Sequence, residues 1–325
     1  MKRNWTVTQE LLLGAILLAI IVFLSLTTNF STRSGIYSFM LDVSPTVVAA
    51  IAVGMVIFTG NIDISVGTIS GFVAYTAGAL VKAGAPMIIW VPAAITVGTL
   101  LAGINGFITI KFRVPSLVAT LAMNMVHIGA YATVLPQSGW IENLGPRFTW
   151  FGRGRIFNLI PYNFVVMIVV AIVAMFVMKY TRFGRALYAV GGNRQSAIYS
   201  GINPDVTVMK VFFVEGFLMG ISALLRAMTL NEVMPSVFVG RELFFISAAV
   251  VGGISIFGGS GRIIGAVMGA ALVYLLSIAM IYYGVQDYYQ FALQGIIILG
   301  AVFITVTDFG KIRRRLGRES EQRAS

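Results

Sequence analysis

Lys179–Lys210 reads KYTRFGRALYAVGGNRQSAIYSGINPDVTVMK, and it is the longest polar interval in an otherwise apolar chain. Lys179, Arg182, Arg185 and Arg194 crowd into it before Lys210, where the apolar pattern resumes. Six apolar segments lie ahead of it and four behind. A chain that only has to span lipid has no use for a basic interval of this length, whereas one pushed from the cytosol needs a place to be gripped. Gln195, Ser196 and Ala197, followed by Gly201, have the spacing of a short helix closed by glycine, which takes the left-handed conformation at little cost. Pro204 cannot continue that helix. An exposed short helix between two spans is a lever for a partner. A solvated loop whose charges only fix topology is the alternative of equal weight.

The surrounding composition says what kind of chain this is. Of 325 residues, 58% are hydrophobic and 11% charged, against about 25% charged in soluble domains. Apolar runs of span length recur from end to end, and no ten-residue alternation suggests a barrel, so the expected class is all-α and polytopic. Thirty-five glycines suit close helix packing in lipid. The chain has no cysteine, which excludes disulfides, iron–sulfur clusters and cysteine zinc sites. Lys2 and Arg3 before an apolar run resemble a signal peptide, but no clear cleavage site follows, and the run reads as an uncleaved first span.

About ten transmembrane helices are expected, near 10–29, 43–59, 63–83, 86–110, 115–135, 161–178, 210–229, 243–257, 262–283 and 287–307, in one membrane domain covering 1–325. Pro45, Pro86, Pro115 and Pro161 mark boundaries, since proline suits a first helical turn. With the N-terminus inside, 16 of the 23 Lys and Arg residues fall on one face: the N-terminus, Lys111, Arg113, the loop of about 179–209 with Lys210, Arg262 and a tail at 308–325. The remaining seven, Arg33, Lys82, Arg147, Arg153, Arg155, Arg226 and Arg241, fall on the other. That bias places both termini in the cytoplasm. The net charge of +11 is therefore topogenic and does not signal nucleic acid. A weak internal repeat is also suggested: Gly60–Gly67 matches Gly252–Gly259 at four positions, an offset of 192 that also aligns Leu101, Gly103 and Ile104 with Leu293, Gly295 and Ile296.

Few residues could carry chemistry inside the spans. Asp63 at a span edge beside Asn61 reads as a helix cap, with a gate or conduit role as the rival. Glu215 is the clearest intramembrane acid, and Arg226, eleven residues on, is about 16 Å away and too far to pair with it. A structural role for Glu215 outweighs ion coupling. Thr120, Asn124, His127 and Tyr131 share one helical stripe. They read either as a conduit wall that hydrogen-bonds a hydroxylated solute weakly or as bonds between helices. His127 is the lone histidine, so no metal site is expected. No catalytic constellation and no G-x-x-x-x-G-K-[ST] loop occur, so the chain needs no cofactor of its own and cannot bind ATP phosphates in that way. An ion-coupled secondary sugar carrier is the alternative to an ATP-driven machine.

Three separated motifs resemble one family. T-R-F-G-R-A-L-Y-A-V-G-G-N (Thr181–Asn193) with A-I-Y-S-G-I (Ala197–Ile202) is similar to the cytoplasmic loop of permease subunits of bacterial ABC importers of the ribose, xylose, galactoside, rhamnose and autoinducer-2 branch. G-N-I-D-I-S-V-G (Gly60–Gly67) resembles that family's G-G-I-D-L-S-V-G, and A-A-V-V-G-G-I-S-I-F-G-G-S-G-R-I-I-G-A (Ala248–Ala266) its late glycine-rich segment. Asn61 departs from a usual glycine, and Gln195 and Ser196 from the Glu and Ala of the broader importer motif. The resemblance, running from about residue 40 to 307, implies a bacterial inner-membrane importer subunit for a monosaccharide or related polar solute. It implies a second permease copy, a cytoplasmic ATPase that binds ATP and Mg, and a periplasmic or surface binding protein. The loop 136–160, with Arg147, Arg153 and Arg155, is the expected dock for the last. ATPase coupling falls to Arg182, Gly184, Arg185, Gly191, Gly192, Asn193, Gln195, Ala197 and Gly201, and the substrate path to Asn61, Asp63, Asn124, His127 and Tyr131.

Overall fold

The computed structural model describes residues 2–133 and 135–286 and positions 289, 292, 295, 296 and 299. In chain order the α-helices are α1 (Lys2–Thr27), α2 (Arg33–Ile57), α3 (Val66–Lys82), α4 (Met87–Lys111), α5 (Ser116–Thr133), α6 (Pro146–Gly152), α7 (Tyr162–Tyr180), α8 (Arg182–Gly192), α9 (Arg194–Tyr199), α10 (Pro204–Ala227), α11 (Arg241–Val251) and α12 (Ile263–Tyr282). A two-residue hairpin, Arg155–Ile156 with Ile160–Pro161, precedes α7.

Six of these helices are long and apolar enough to cross a membrane: α1 from Glu10, α2, α4, α7, α10 and α12. The expectation of about ten is corrected by that number. Helix α3 has 17 residues and α11 has 11, so at 1.5 Å per residue they rise about 26 and 17 Å, short of a roughly 30 Å core. Helix α5 has 18 residues, but Ser116, Thr120, Asn124, His127 and Tyr131 run along its buried side and keep it out of the six. Most of the expected tenth span, 287–307, and all of the tail at 308–325 lie outside the described residues.

Helix α2 is the axis of the bundle. Of its most apolar 18-residue window 83% is buried, against 11% for α1 at the periphery. Pro45, expected in a first turn, sits instead inside α2, which starts twelve residues earlier at Arg33, with Thr32 capping the Gly35 amide. Proline cannot donate to the carbonyl four residues back, and its own carbonyl is taken by the Ser222 hydroxyl of α10 at 2.7 Å. Pro86 and Pro161 do stand at helix starts, as N-caps of α4 and α7.

Helices α4 and α10 run antiparallel through a seam of small residues. A side chain at Gly216 would strike the Gly98 carbonyl and Ala102, one at Gly106 would strike Phe212, and one at Gly103 the Phe213 ring. Lipid gives no hydrophobic drive between helices, so this backbone approach, with its dispersion contacts, holds the pair together.

The described basic residues sort onto two sides. Arg262 pairs with Glu10 at 2.6 Å on the side of α8 and α9. On the other side Arg33 donates to the Asn158 carbonyl, Lys82 to that of Asn143, and Arg153 to that of Thr229. There Arg155 stacks over the Tyr37 ring at 5.3 Å. Gly216→Val is expected to cost about 1–3 kcal/mol through overpacking and to lower the thermal midpoint of the detergent-solubilised protein. Gly129→Val, where an added Cβ meets nothing within 4 Å, should leave that midpoint unchanged, as fluorescence-detected size exclusion after heating would show.

Candidate functional site: the coupling helices and the two helix breaks

The polar interval folds into two helices rather than one short helix in a loop. Thr181 caps α8 through the Gly184 amide at 3.1 Å, and Asn193 caps α9 through the Ser196 amide at 2.8 Å. Helix α8 buries Gly184, Leu187 and Val190 and leaves Arg182 and Arg185 exposed. Helix α9 buries only Ala197, while Gln195, Ile198 and Tyr199 face outward, Tyr199 at 81% exposure. Gly201 ends α9 at φ +76°. The Ile202 amide returns to the Ala197 carbonyl and the Gly201 amide to that of Ile198, the pairing of a Schellman turn. Asn203 and Pro204 then start α10, and Arg194 is ion-paired with Asp205.

Beneath α8 lie two interruptions in the helices, at 58–65 after α2 and at 252–262 after α11. The two sequence motifs that resemble each other form these breaks, and they touch. The Gly259 amide donates to the Phe58 carbonyl at 2.9 Å. A Cβ at Gly191 of α8 would collide with that same carbonyl and with the Gly259 nitrogen, one at Gly258 with Gly60, and one at Gly259 with Gly192. Tyr188 stacks on Phe58 with ring centroids 4.8 Å apart and donates to the Gly261 carbonyl at 3.0 Å. Burial pushes the Tyr188 phenol above its ordinary pKa, Arg262 opposing, so it stays a donor at neutral pH.

The first break runs on into a buried polar cluster. Asp63 accepts from the Ser65 amide at 2.6 Å and the Ser65 hydroxyl at 2.7 Å, forming the turn that opens α3. Asn105 of α4 donates to the other Asp63 oxygen at 2.9 Å and to Ser65 Oγ at 2.6 Å. Helix α5 holds the same break from the opposite side: Ser116 and Thr120 accept from the amides of Ile62 and Ile64 at 3.0 and 3.1 Å. Further along, His127 Nδ1 lies 3.0 Å from Thr68 Oγ1, and the Tyr131 hydroxyl donates to the Thr68 carbonyl.

The α5 stripe therefore binds α3 and the break while offering two free atoms. Asn124 Oδ1 and His127 Nε2 are buried with no hydrogen-bond partner among the described residues. Asn61 stands apart from the stripe, held by Thr59 Oγ1 at 2.8 Å. It borders a cavity of about 540 Å³ near the start of α9 that also touches Arg113, Ser116, Arg194 and Asp205. Glu215 is wholly buried in α10, and neither carboxylate oxygen has a partner among the described residues.

Sequence reading missed Asn105 and Tyr188, each a lone polar group in a run read for other reasons. It also missed that Gly258 and Gly259 dock on α8. The only signal was the pair of resembling glycine motifs, now found in contact.

Residues 35–302 match the family described as branched-chain amino acid transport system / permease component. The ribose import permease protein RbsC of Escherichia coli strain K12 is 32% identical over 306 residues, covering 93% of this chain and 94% of that one. RbsC of Bacillus subtilis strain 168 is 30% identical, covering 90% of each. The autoinducer 2 import system permease protein LsrC of Yersinia enterocolitica is 30% identical over 85% of this chain and 75% of its own. No solved structure matches. The chain thus belongs to the permease family of bacterial ABC importers, as a multi-pass, non-enzymatic transport subunit of the inner membrane.

Proposed function

We propose that this subunit carries a monosaccharide or related hydroxylated solute, of the ribose or autoinducer-2 kind, inward, and that a cytoplasmic ATPase drives it through α8 and α9. A second permease subunit, identical or related, and an external binding protein complete the machine. The observation that carries this reading is the glycine junction. The exposed face of α9 offers Tyr199, Ile198 and Gln195 to the ATPase, while α8 rests by backbone contact on both helix breaks. A push on α9 is thus delivered to Phe58 and Gly259 without a flexible side chain between.

From Phe58 the displacement reaches Asp63, Asn105 and the α5 stripe through the bonds described above. The path runs along Asn61, Asp63, Asn124, His127 and Tyr131, with Asn124 Oδ1 and His127 Nε2 free to meet a passing hydroxyl. Contacts that few and that weak allow release as well as entry. On the opposite side the loop 136–160, with Arg147 and Arg155 exposed, forms the dock for the binding protein.

Two neighbouring glycines separate coupling from docking. Gly191→Ala drives a methyl into the Phe58 carbonyl, whereas at Gly192 an added Cβ meets nothing. In proteoliposomes with the ATPase, Gly191→Ala should abolish solute-stimulated transport while the ATPase still co-purifies, and Gly192→Ala should match wild type. Equal transport by both variants would remove the junction from the mechanism.

His127→Leu should lower uptake at least about tenfold, the scale of losing one polar contact of ~1.4 kcal/mol in passage, with ATPase retention unchanged. Unaltered uptake by a well-folded His127→Leu would take α5 out of the path.

A further inference from the structure

A second cavity, of about 470 Å³, opens on the side away from the coupling helices. Helix α10 fixes its depth: it starts beside α9, rises about 36 Å over 24 residues to Ala227, and puts Arg226 of its last turn in the cavity wall. The remaining wall comes from α2, α3, α11 and α12 and from the turn before α11. The cavity lies within one protomer, apart from the Asp63 cluster and the α5 stripe. Its size is within the roughly 300–1,000 Å³ of small-molecule sites.

The wall has a definite donor and acceptor pattern. Arg226 Nη1 donates to Asp42 Oδ1 at 2.7 Å, so the two charges offset each other. A guanidinium has five N–H donors, and this bond uses one. Arg241 also lines the cavity. Of the five hydroxyl-bearing residues in the wall, Tyr274 is hydrogen-bonded to Asp42 and Thr46 stands beside Pro45. The other three have spent their hydrogens on helix carbonyls: Ser70 on Val66, Ser222 on Pro45 and Ser277 on Val273. Their oxygens are left as acceptors, and Phe238 and Phe244 add apolar ring surface.

A ligand for such a wall must both donate and accept and must carry C–H faces. An anion such as a lipid phosphate only accepts, so it could use the guanidinium donors but would leave the serine lone pairs and the Asp42 carboxylate facing it unpaired, whereas a polyol can serve both. We propose that this cavity is an outward-side holding site for a polyhydroxylated, uncharged solute, occupied before the solute enters the central path. It rests on the reading that the transported solute is a polyol.

The cysteine-free chain makes the test clean. Ser277→Cys lies in the wall, and Val237→Cys, 46% exposed in the native chain, at the rim. Right-side-out vesicles holding the complete importer are treated with an impermeant methanethiosulfonate. D-ribose, D-xylose, L-rhamnose and myo-inositol serve as probes, and uptake of each is measured on the same vesicles.

The expected result is labelling at both positions and slowing at Ser277→Cys, by about tenfold at ten times Kd, with whichever probe is taken up. A probe that is taken up yet leaves labelling unchanged overturns the holding site and spares the polyol reading. Protection only by inorganic phosphate or added phosphatidylglycerol reassigns the cavity to an anion and overturns it too. Labelling of Val237→Cys but not Ser277→Cys shows it closed from outside, with the same consequence. If the wild-type importer takes up none of the four, the polyol reading falls and this proposal with it.

Discussion

The carbonyl of Phe58 is the point on which the structure turns. Inside a membrane a helix cannot be interrupted unless the freed backbone groups find partners. Here Ser116 and Thr120 of α5 take the amides of Ile62 and Ile64 at the break after α2, while its Phe58 carbonyl is taken by the Gly259 amide of the break after α11. That bond can form only where no side chain intervenes, and Gly60, Gly191, Gly258 and Gly259 clear the space from three directions. Gly60, Gly258 and Gly259 also have positive φ, between +68° and +83°, a region that costs other residues strain. The same glycines that permit the turns thus permit the close approach.

This arrangement explains why α3 and α11 are short. Each abuts a break: α3 starts where the first break ends and α11 stops where the second begins, so the breaks make up part of the path that a longer helix would otherwise cover. The first break leads into buried polar chemistry: Asp63, Ser65 and Asn105 are hydrogen-bonded to one another around the start of α3. Glu215 stays outside that set, its oxygens without partners among the described residues. The cavity beside Arg226 and the cavity beside Asn61 lie toward opposite ends of the bundle.

Much of this was legible in the residues. The Lys179–Lys210 interval stands out because charge is scarce elsewhere, and its stop at Gly201 follows from local chemistry, whereas the caps at Thr181 and Asn193 that divide it into two helices went unread. The basic residues of the two faces could be sorted by chain order alone. The span count could not. Segments 63–83, 115–135 and 243–257 are apolar enough to pass for spans, and only packing shows where the helices end. A glycine in a turn and a glycine under a neighbouring helix also look alike in sequence, so the docking of 252–262 on α8 was hidden. Asn105 was hidden for a related reason: one amide in a 25-residue apolar helix signals nothing until Asp63 is seen against it.

The central claim is that α8, α9 and the break at 58–61 move as one body when the ATPase closes. Spin labels placed in the cysteine-free chain test it directly, at Asn61 and Tyr199 within that body and at Ile88, exposed on α4, as the outside reference. Pulsed electron–electron distances in the complete importer, with and without ATP, should show the Tyr199–Ile88 distance changing while Asn61–Tyr199 stays fixed. A change in Asn61–Tyr199 of the same size would mean that the coupling helices slide over the break, and the account would be wrong.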